Sequence, residues 1–117
     1  MAVAHARTRP LVAVLSRVPL FVEALRAAFE GIADLQSVSA DDVEAHGLVR
    51  AFRPDVVIIE GDESGAFDIV VPCVRVDLSA KCVSIRSDGD WERVEVELSP
   101  TAIRNVAVAA LYGGALK

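Results

Sequence analysis

The sequence predicts an α/β domain with a parallel βαβαβ core, an antiparallel β-meander and a C-terminal helix. Three observations support this class. In the first half, short apolar runs alternate with amphipathic helical stretches, which is typical of a parallel sheet. In the second half, apolar and polar residues alternate strictly, as they do in antiparallel strands with one covered face. Finally, Ser99-Pro100 has the composition of a helix start, with a capping serine and a first-turn proline.

Length and composition indicate one domain, spanning 1–117, with a loose N-terminus over 1–10. The chain has 117 residues, of which 53% are hydrophobic, so it can bury a hydrophobic core without stabilising disulfide bonds or metal ions. The net charge of −5 argues against direct nucleic-acid binding by this domain, because such binding requires a basic face. No stretch reaches transmembrane length and the N-terminus does not resemble a signal peptide. We therefore expect a cytoplasmic protein without membrane contact.

The first strand is predicted over Leu11–Leu15, and a helix follows it. Pro19 favours a helix start because proline is well tolerated in the first turn. Gly31 is the expected C-terminal stop. The helix has an apolar stripe with helical spacing, formed by Phe21, Leu25, Ala28, Phe29 and Ile32.

The second strand is predicted over Leu35–Ser39, near an edge of the sheet because it contains polar residues. Asp41 and Glu44 have the spacing of a capping box, which predicts the start of the second helix. The buried stripe of that helix is formed by Ala45, Leu48, Val49 and Phe52.

The third strand, Asp55–Glu60, has the clearest pattern in the chain. Pro54 ends the preceding helix, since proline lacks an N–H and restricts the residue before it. Four β-branched residues follow, as expected for a central strand that is covered on both faces. Glu60 then lies at the carboxyl end of the strand, where α/β proteins place their binding sites.

The meander is predicted after the acidic stretch 61–67. An Asp-Gly pair, Asp88-Gly89, indicates a hairpin turn within it. The apolar residues of its three strands are Val74, Val76, Leu78, Val83, Ile85, Val94, Val96 and Leu98.

The last helix is apolar on nearly all sides, which predicts that it is covered on two flanks. The sheet covers one flank. The other flank is covered by a second subunit or by a domain that is not present here, and we favour a second subunit in a two-fold homodimer. The residues assigned to this possible dimer helix are Ile103, Val106, Val108, Leu111 and Tyr112.

No residue pattern indicates a metal, a cofactor or an enzyme. Cys73 and Cys82 lie in apolar segments and are interpreted as buried free thiols. Trp91 is expected to pack at the end of a hairpin. Ser16 has no histidine partner in the pattern, which argues against nucleophilic catalysis.

Residues 12–26 and 53–60 resemble the receiver domain of response regulators, in particular the receivers of LuxR-type transcription regulators. The matching segments are Val12-Ala13-Val14-Leu15-Ser16-Arg17-Val18-Pro19-Leu20-Phe21 with the residues up to Arg26, and Arg53-Pro54-Asp55-Val56-Val57-Ile58-Ile59-Glu60. The resemblance covers about half of the chain and implies a receiver-like, flavodoxin-like core. It also implies a role in signal transduction by a two-component system and in transcription regulation.

The residues at the functional positions of that family differ in this chain. The resemblance places the magnesium-binding acidic pair at Ser16 and Arg17, and the phosphoryl-accepting aspartate at Glu60. A serine and an arginine do not supply the carboxylates that a divalent cation needs. Ser79 is a possible equivalent of the hydroxyl residue that follows the family's fourth strand. The resemblance therefore implies a degenerate receiver that has lost its phosphoryl chemistry.

Two interpretations of Glu60 stay open at this point. In the first, Arg17 and Glu60 form an ion pair that fixes one conformation without phosphate. In the second, Glu60, Asp62 and Glu63 form a solvated acidic loop, and Arg17 points at water.

The expected function is a non-catalytic, phosphorylation-independent module that binds protein partners. One alternative is the receiver part of a LuxR-type transcription regulator whose DNA-binding domain is absent here. The other is a small-ligand sensor that uses the crevice at the strand tips, near Ser16, Glu60 and Ser79.

Overall fold

The structure is a computed structural model that describes residues 9–61, 71–86 and 90–112. Six strands of the described chain form one mixed sheet, in the order β2-β1-β3-β4-β5-β6. The elements are β1 (Leu11–Ser16), α1 (Pro19–Ala28), β2 (Asp34–Ser39), α2 (Ala45–Phe52), β3 (Val56–Glu60), β4 (Cys73–Asp77), β5 (Cys82–Arg86), β6 (Glu92–Val94) and α3 (Pro100–Leu111).

Parallel pairing joins the first four strands of the chain, and antiparallel pairing joins the last three. β1 lies between β2 and β3, and β4 pairs with β3 in the parallel sense. β5 and β6 then run antiparallel to their neighbours. The predicted α/β class is confirmed. The strict alternation begins in β4, which pairs parallel with β3 on one side and antiparallel with β5 on the other.

Helices cover the two faces of the sheet unequally. α1 and α3 pack on one face, over residues from all six strands, and α2 packs on the other face, mainly over β1 and β2. Successive residues of β3 alternate between the two clusters, because side chains alternate across a strand. Both clusters bury this strand completely, which explains its unbroken apolar run: Val56, Val57, Ile58 and Ile59 are all fully buried.

The parallel strands are aligned at their amino ends by hydrogen bonds around Asp55. The Asp55 carboxylate accepts the Leu11 N–H at 2.8 Å, and the Asp55 N–H donates to the Leu11 carbonyl at 2.8 Å. On the other side, the Asp34 N–H donates to the Pro10 carbonyl at 2.9 Å. These contacts set the register that brings the carboxyl ends of β1 and β3 side by side.

The start of α1 is confirmed at Pro19, but its end comes earlier than predicted. The helix ends at Ala28, and Ile32 lies beyond it with 39% of its surface exposed. Gly31 has a φ of 78°, a left-handed conformation that glycine adopts without a steric penalty. The turn around Gly31 removes Ile32 from the predicted buried stripe.

The predicted capping box at the start of α2 is wrong. The N-cap position is Glu44, which makes no side-chain cap bond, and the carboxylate of Asp42 accepts the Glu44 N–H at 2.8 Å. Asp41 is engaged elsewhere, in an ion pair with Arg17. Within the helix, Val49 is fully buried and Leu48 is 37% exposed, so the buried stripe is narrower than predicted.

The last predicted strand is shorter than the sequence indicates. β6 ends at Val94, and Val96 is 37% exposed beyond it, while Leu98 packs partly against the core. The serine cap of α3 is confirmed, because the Ser99 hydroxyl accepts the Ala102 N–H at 3.0 Å. The predicted Asp88-Gly89 turn, the stretch 62–67 and the loose segment 1–8 lie outside the described residues.

α3, with 12 residues, is the longest helix of the described chain. None of the described helices has the length and apolar character needed to cross a membrane.

Candidate functional site

The candidate site lies at the carboxyl ends of β1 and β3. Leu15 and Ile59 are register partners, so the next residues, Ser16 and Glu60, emerge next to each other. Ser16 is buried, with 5% of its surface exposed, and Glu60 is half-buried. The parallel pairing of β1 and β3 therefore brings together two residues that are 44 positions apart in the sequence.

Donors from the β1–α1 connection bind the Glu60 carboxylate. The Ser16 hydroxyl donates to Glu60 Oε1 at 3.1 Å, and the Arg17 backbone N–H donates to the same oxygen at 3.4 Å. Hydrogen bonds to a carboxylate stabilise more than those between neutral groups. Glu60 thus joins the third strand to the first loop of the protein.

Ser16 also shapes the loop in which it lies. Its Oγ accepts the Val18 N–H at 2.9 Å, a local turn that serine side chains commonly form. The Val18 carbonyl in turn accepts the N–H groups of Phe21 and Val22, in the first turn of α1. Through Val18, the hydrogen bond between Ser16 and Glu60 is therefore linked to the first turn of α1.

The guanidinium of Arg17 forms an ion pair with Asp41 and not with Glu60. Arg17 Nε lies 2.7 Å from Asp41 Oδ1, and the two side chains are 46% and 72% exposed. The ion pair expected between Arg17 and Glu60 is therefore wrong, because Arg17 reaches Glu60 through its backbone. The alternative of an arginine that points at water is wrong as well, and Asp62 and Glu63 lie outside the described residues.

Within the described chain, no hydrogen bond joins Ser79 to Glu60. Glu60 pairs with Val76, and the Gly61 N–H donates to the Val76 carbonyl at 2.8 Å. Ser79 follows in the exposed turn between β4 and β5, where Lys81 has a left-handed φ of 55°. The tight return into β5 keeps Ser79 in that turn.

A cavity of about 230 Å³ lies beside the site, at the carboxyl ends of β1 and β2. Its polar lining comes mainly from three serines, Ser16, Ser37 and Ser39, together with Arg17 and Glu23. Within the described residues, no group of three His, Cys, Asp or Glu side chains lies close enough together to hold a metal ion. This lining suits a small polar molecule better than a metal ion.

A second polar cluster lies on the α2 side of the meander, and sequence analysis did not identify it. The guanidiniums of Arg75 and Arg86 lie over the Trp91 ring, at 4.9 and 5.2 Å from its centroid. The alternation in β4 and β5 places both arginines on one face, which is the pattern that could have revealed the cluster. The expectation that Trp91 packs is confirmed, since it is half-buried against the core cluster under α2.

Cys73 lies beneath this cluster. Arg86 Nη2 is 3.6 Å from Cys73 Sγ, and the Cys73 thiol is buried. Burial raises the pKa of the Cys73 thiol above its ordinary value, although the positive charge of Arg86 and its hydrogen bond act in the opposite direction. Both cysteines are free thiols as predicted, but Cys82 is only half-buried.

The residues predicted for a dimer helix divide into two groups. Ile103 and Val106 are core residues with 2% and 3% of their surfaces exposed, so they do not face a partner. Val108 and Leu111 are half-buried against the core, and Tyr112 is 70% exposed.

Comparisons of the chain with models of protein families, with curated proteins and with solved structures find no match.

Proposed function

We propose that this chain is a phosphorylation-independent signalling module, a degenerate receiver that acts through protein–protein contacts. The observation that carries the proposal is the occupation of Glu60 by donors of the protein itself, the Ser16 hydroxyl and the Arg17 N–H. A carboxylate that accepts internal hydrogen bonds joins two strand ends without a metal ion or a phosphoryl group. The contact fixes one arrangement of the β1–α1 loop.

The charges around Glu60 support the same proposal. Phosphoryl transfer requires a metal ion that neutralises charge and a precisely placed acceptor. The nearest side chains of the β1–α1 loop are a neutral hydroxyl and a cation, and Asp41 forms an ion pair with that cation. The receiver-like character and the link to a LuxR-type regulator are part of the proposal and rest on residues 12–26 and 53–60.

The test is incubation with acetyl phosphate and magnesium, followed by intact mass spectrometry. We expect wild-type protein to keep its mass. A matched variant, Ser16→Asp/Arg17→Asp/Glu60→Asp, restores the acids that the resemblance implies. This variant should gain magnesium-dependent mass of one phosphoryl group if the scaffold is receiver-like. Addition of a phosphoryl group to the wild-type domain would overturn the proposal.

The 230 Å³ cavity favours a second candidate function, a sensor for a small polar ligand. Ser37 lies exposed at its rim, so Ser37→Leu should obstruct the cavity without disturbing the core. A ligand from a panel of polyols and small carboxylic acids should raise the melting temperature of wild-type protein and not of the variant. An equal shift in both proteins would exclude binding in this cavity.

We also propose that the protein forms a homodimer through the outer flank of α3. Tyr112, Val108 and Ala109 line a groove of about 460 Å³, together with Ile32 beyond the end of α1. Tyr112→Glu places a charge on the most exposed of these residues, so it should give monomers in sedimentation velocity. Thr101→Glu, on an exposed position at the start of the same helix, is the control. Loss of the dimer in both variants, or in neither, would contradict this interface.

A further inference from the structure

β2 lies at one edge of the sheet, and β1 is its only strand partner within the described residues. The N–H groups of Asp34 and Ala40 donate to carbonyls on the β1 side, at 2.9 and 3.1 Å. The direction of backbone hydrogen bonds alternates from one residue of a strand to the next. The backbone groups of Leu35, Ser37 and Ser39 therefore point away from β1, toward the open side of the strand.

The centre of this open edge has no hydrogen-bond partner in the described chain. The Leu35 carbonyl accepts a hydrogen bond from Arg26 Nη1 at 3.3 Å, and the Ser39 carbonyl accepts the Asp42 N–H at 3.1 Å. Between them, the backbone N–H and C=O of Ser37 make no hydrogen bond to any described residue. An unpaired edge of this kind is a template for a further strand, and β2 contains no lysine or proline that would discourage such pairing.

A groove runs along the open edge, between β2 and α1, and we call it the edge groove. α1 packs over β1 and against α3, which leaves much of the α1 side of β2 uncovered. Two cavities of about 860 and 230 Å³ adjoin in this groove and share Glu23 as a lining residue. The larger cavity follows β2 from Asp34 to Gln36, and the smaller one, described above, continues from Ser37 to Ser39. The edge groove therefore extends along the whole of β2.

Charged side chains that line the edge groove balance each other. Arg26 Nε lies 3.8 Å from a carboxylate oxygen of Glu23, and Arg9 Nη1 lies 4.0 Å from Asp34 Oδ1. A surface with mixed and paired charges produces little net attraction for a charged ligand. The edge groove is consequently better matched to an uncharged segment. Its charged lining residues are three arginines and three acids, Arg9, Arg17, Arg26, Glu23, Glu30 and Asp34.

We propose that the edge groove binds an uncharged, extended segment of another protein, which adds a strand to the sheet beside β2. The segment runs antiparallel to β2, and its residue opposite Ser37 exchanges two N–H to C=O hydrogen bonds with Ser37. Every second side chain of the segment then points toward α1, where aliphatic groups pack against Val22, Ala27 and Leu35. In this mode of recognition, main-chain hydrogen bonds supply affinity and alternate side chains supply specificity. The proposal names the partner class of the interaction function proposed above and rests on that function for its biological meaning.

Two other occupants use the edge groove less completely. A second copy that paired through its own β2 would bring Leu35 and two small serines, Ser37 and Ser39, to the α1 side, and these leave the larger cavity mostly empty. The homodimer proposed above uses the outer flank of α3, whose groove shares no lining residue with the edge groove. A small polar ligand fills only the 230 Å³ cavity and leaves the strand edge unpaired.

Amide hydrogen exchange measured by NMR tests the pairing residue by residue. In the free protein, the amides of Gln36 and Val38 point to β1 and should exchange slowly, whereas the Ser37 amide should exchange fast. The probe is the blocked pentapeptide acetyl-Val-Thr-Val-Thr-Val-amide, which places three valines on one side when it is extended. At saturation with this peptide, exchange of the Ser37 amide should slow by roughly tenfold or more.

Two N-methylated peptides show whether the main chain of the segment is recognised. Methylation of the central valine nitrogen removes the N–H that faces Ser37, and it should weaken binding by roughly tenfold or more, measured by anisotropy of labelled peptide. Methylation of the neighbouring threonine nitrogen removes an N–H that points away from β2. This control peptide should keep most of the affinity.

Variants of the protein locate the site. Ser37→Pro removes the outward N–H, and an edge strand accommodates proline where its N–H faces solvent. Binding should weaken by roughly tenfold or more, while Ser37→Ala, which keeps the N–H, should bind as wild type does. Ala27→Tyr, at an exposed position of α1, fills the edge groove without a change in β2 and should also weaken binding. Circular dichroism melting identifies the folded variants, so Ala27→Tyr provides the test if Ser37→Pro does not fold.

Four results would overturn this proposal. They are an unchanged exchange rate of the Ser37 amide with the peptide, equal binding of the two N-methylated peptides, wild-type binding by Ala27→Tyr, and protection of the Ser37 amide without peptide. Protection that rises with protein concentration would assign the edge to a second copy. Failure of the proposed function is detected separately, as a phosphoryl mass on wild-type protein in the absence of any peptide.

Discussion

Ile59 and Arg75 are register partners on adjacent strands and lie on the same face of the sheet. Ile59, on β3, is fully buried in the cluster under α2, while Arg75, on β4, is half-exposed beside Trp91. The boundary between the covered and the less covered part of this face therefore runs between two neighbouring residues. It coincides with the border between the parallel core and the meander.

This difference explains where each half of the molecule places its polar groups. In the parallel core, helices cover both faces, so the polar side chains of β1 and β3 are found at the strand ends, as Ser16 and Glu60 are. In the meander, helices α1 and α3 cover one face and the other face carries arginines along the strands. The two halves consequently place their polar groups differently, at the strand ends in the parallel core and along the strands in the meander.

The largest expected effect comes from a charge on the covered side of this boundary. Ile59→Arg buries a cation without a partner, which should reduce the free energy of unfolding by at least about 4 kcal/mol or abolish folding. Urea denaturation followed by circular dichroism measures the loss. The reverse change on the neighbouring strand, Arg75→Ile, should alter the free energy of unfolding by no more than about 1 kcal/mol.

Similar losses in the two variants would contradict the boundary. Arg75 would then be as deeply embedded as Ile59.

A smaller effect is expected at the strand ends, where Ser16 binds Glu60. Ser16→Ala should cost roughly 1–2 kcal/mol, because it leaves a half-buried carboxylate without one donor. A double-mutant cycle with Glu60→Ala isolates this contact from the turn that Ser16 forms with Val18, and the coupling should be about 1 kcal/mol. Chemical denaturation of the four proteins gives the coupling energy.

The ion pair of Arg17 with Asp41 provides the matched comparison. Both side chains are largely exposed, so a cycle of Arg17→Gln and Asp41→Asn should give a coupling of roughly 0.5 kcal/mol that declines with salt. A stronger coupling for this pair than for Ser16 and Glu60 would show that the loop is held by its charges. It would also contradict the central role that we assign to the carboxylate of Glu60.

The sequence pattern was sufficient to predict elements whose stability depends on local chemistry or on burial of a continuous apolar run. β3 is of this kind, and so is the start of α3, where a serine and a proline act within one turn. The end of α1 and the start of α2 were predicted less well. Gly31 and the pairing of Asp41 with Arg17 depend on the neighbouring elements, and spacing along one segment does not contain that information.

The candidate site was predicted in its position but not in its contacts. Apolar strands that end in Ser16 and Glu60 predict that the two residues are neighbours, since parallel strands share an end. The choice of donor was not predictable, because Arg17 turns its side chain to Asp41 and offers Glu60 only its backbone N–H. The cluster of Arg75, Arg86 and Trp91 was missed because its residues belong to separate strands and meet only through the antiparallel register.

The smallest expected effect is a difference in how the free energy of unfolding depends on pH when either of the two cysteines is replaced. The two cysteines lie at opposite ends of the β4–β5 pair. The folded state disfavours the Cys73 thiolate, because burial raises the pKa of this thiol above its ordinary value of 9.0. Above that pH the unfolded chain loses this proton more readily than the folded chain, so the free energy of unfolding should fall as pH rises. Wild-type protein should show a steeper decline than Cys73→Ala between neutral pH and about pH 10, measured by urea denaturation. For Cys82→Ala, at the half-buried end of the pair, the free energy of unfolding should decline with pH as it does for wild type. An equal loss of slope in the two variants would contradict the special burial of Cys73 beneath Arg86 and Trp91.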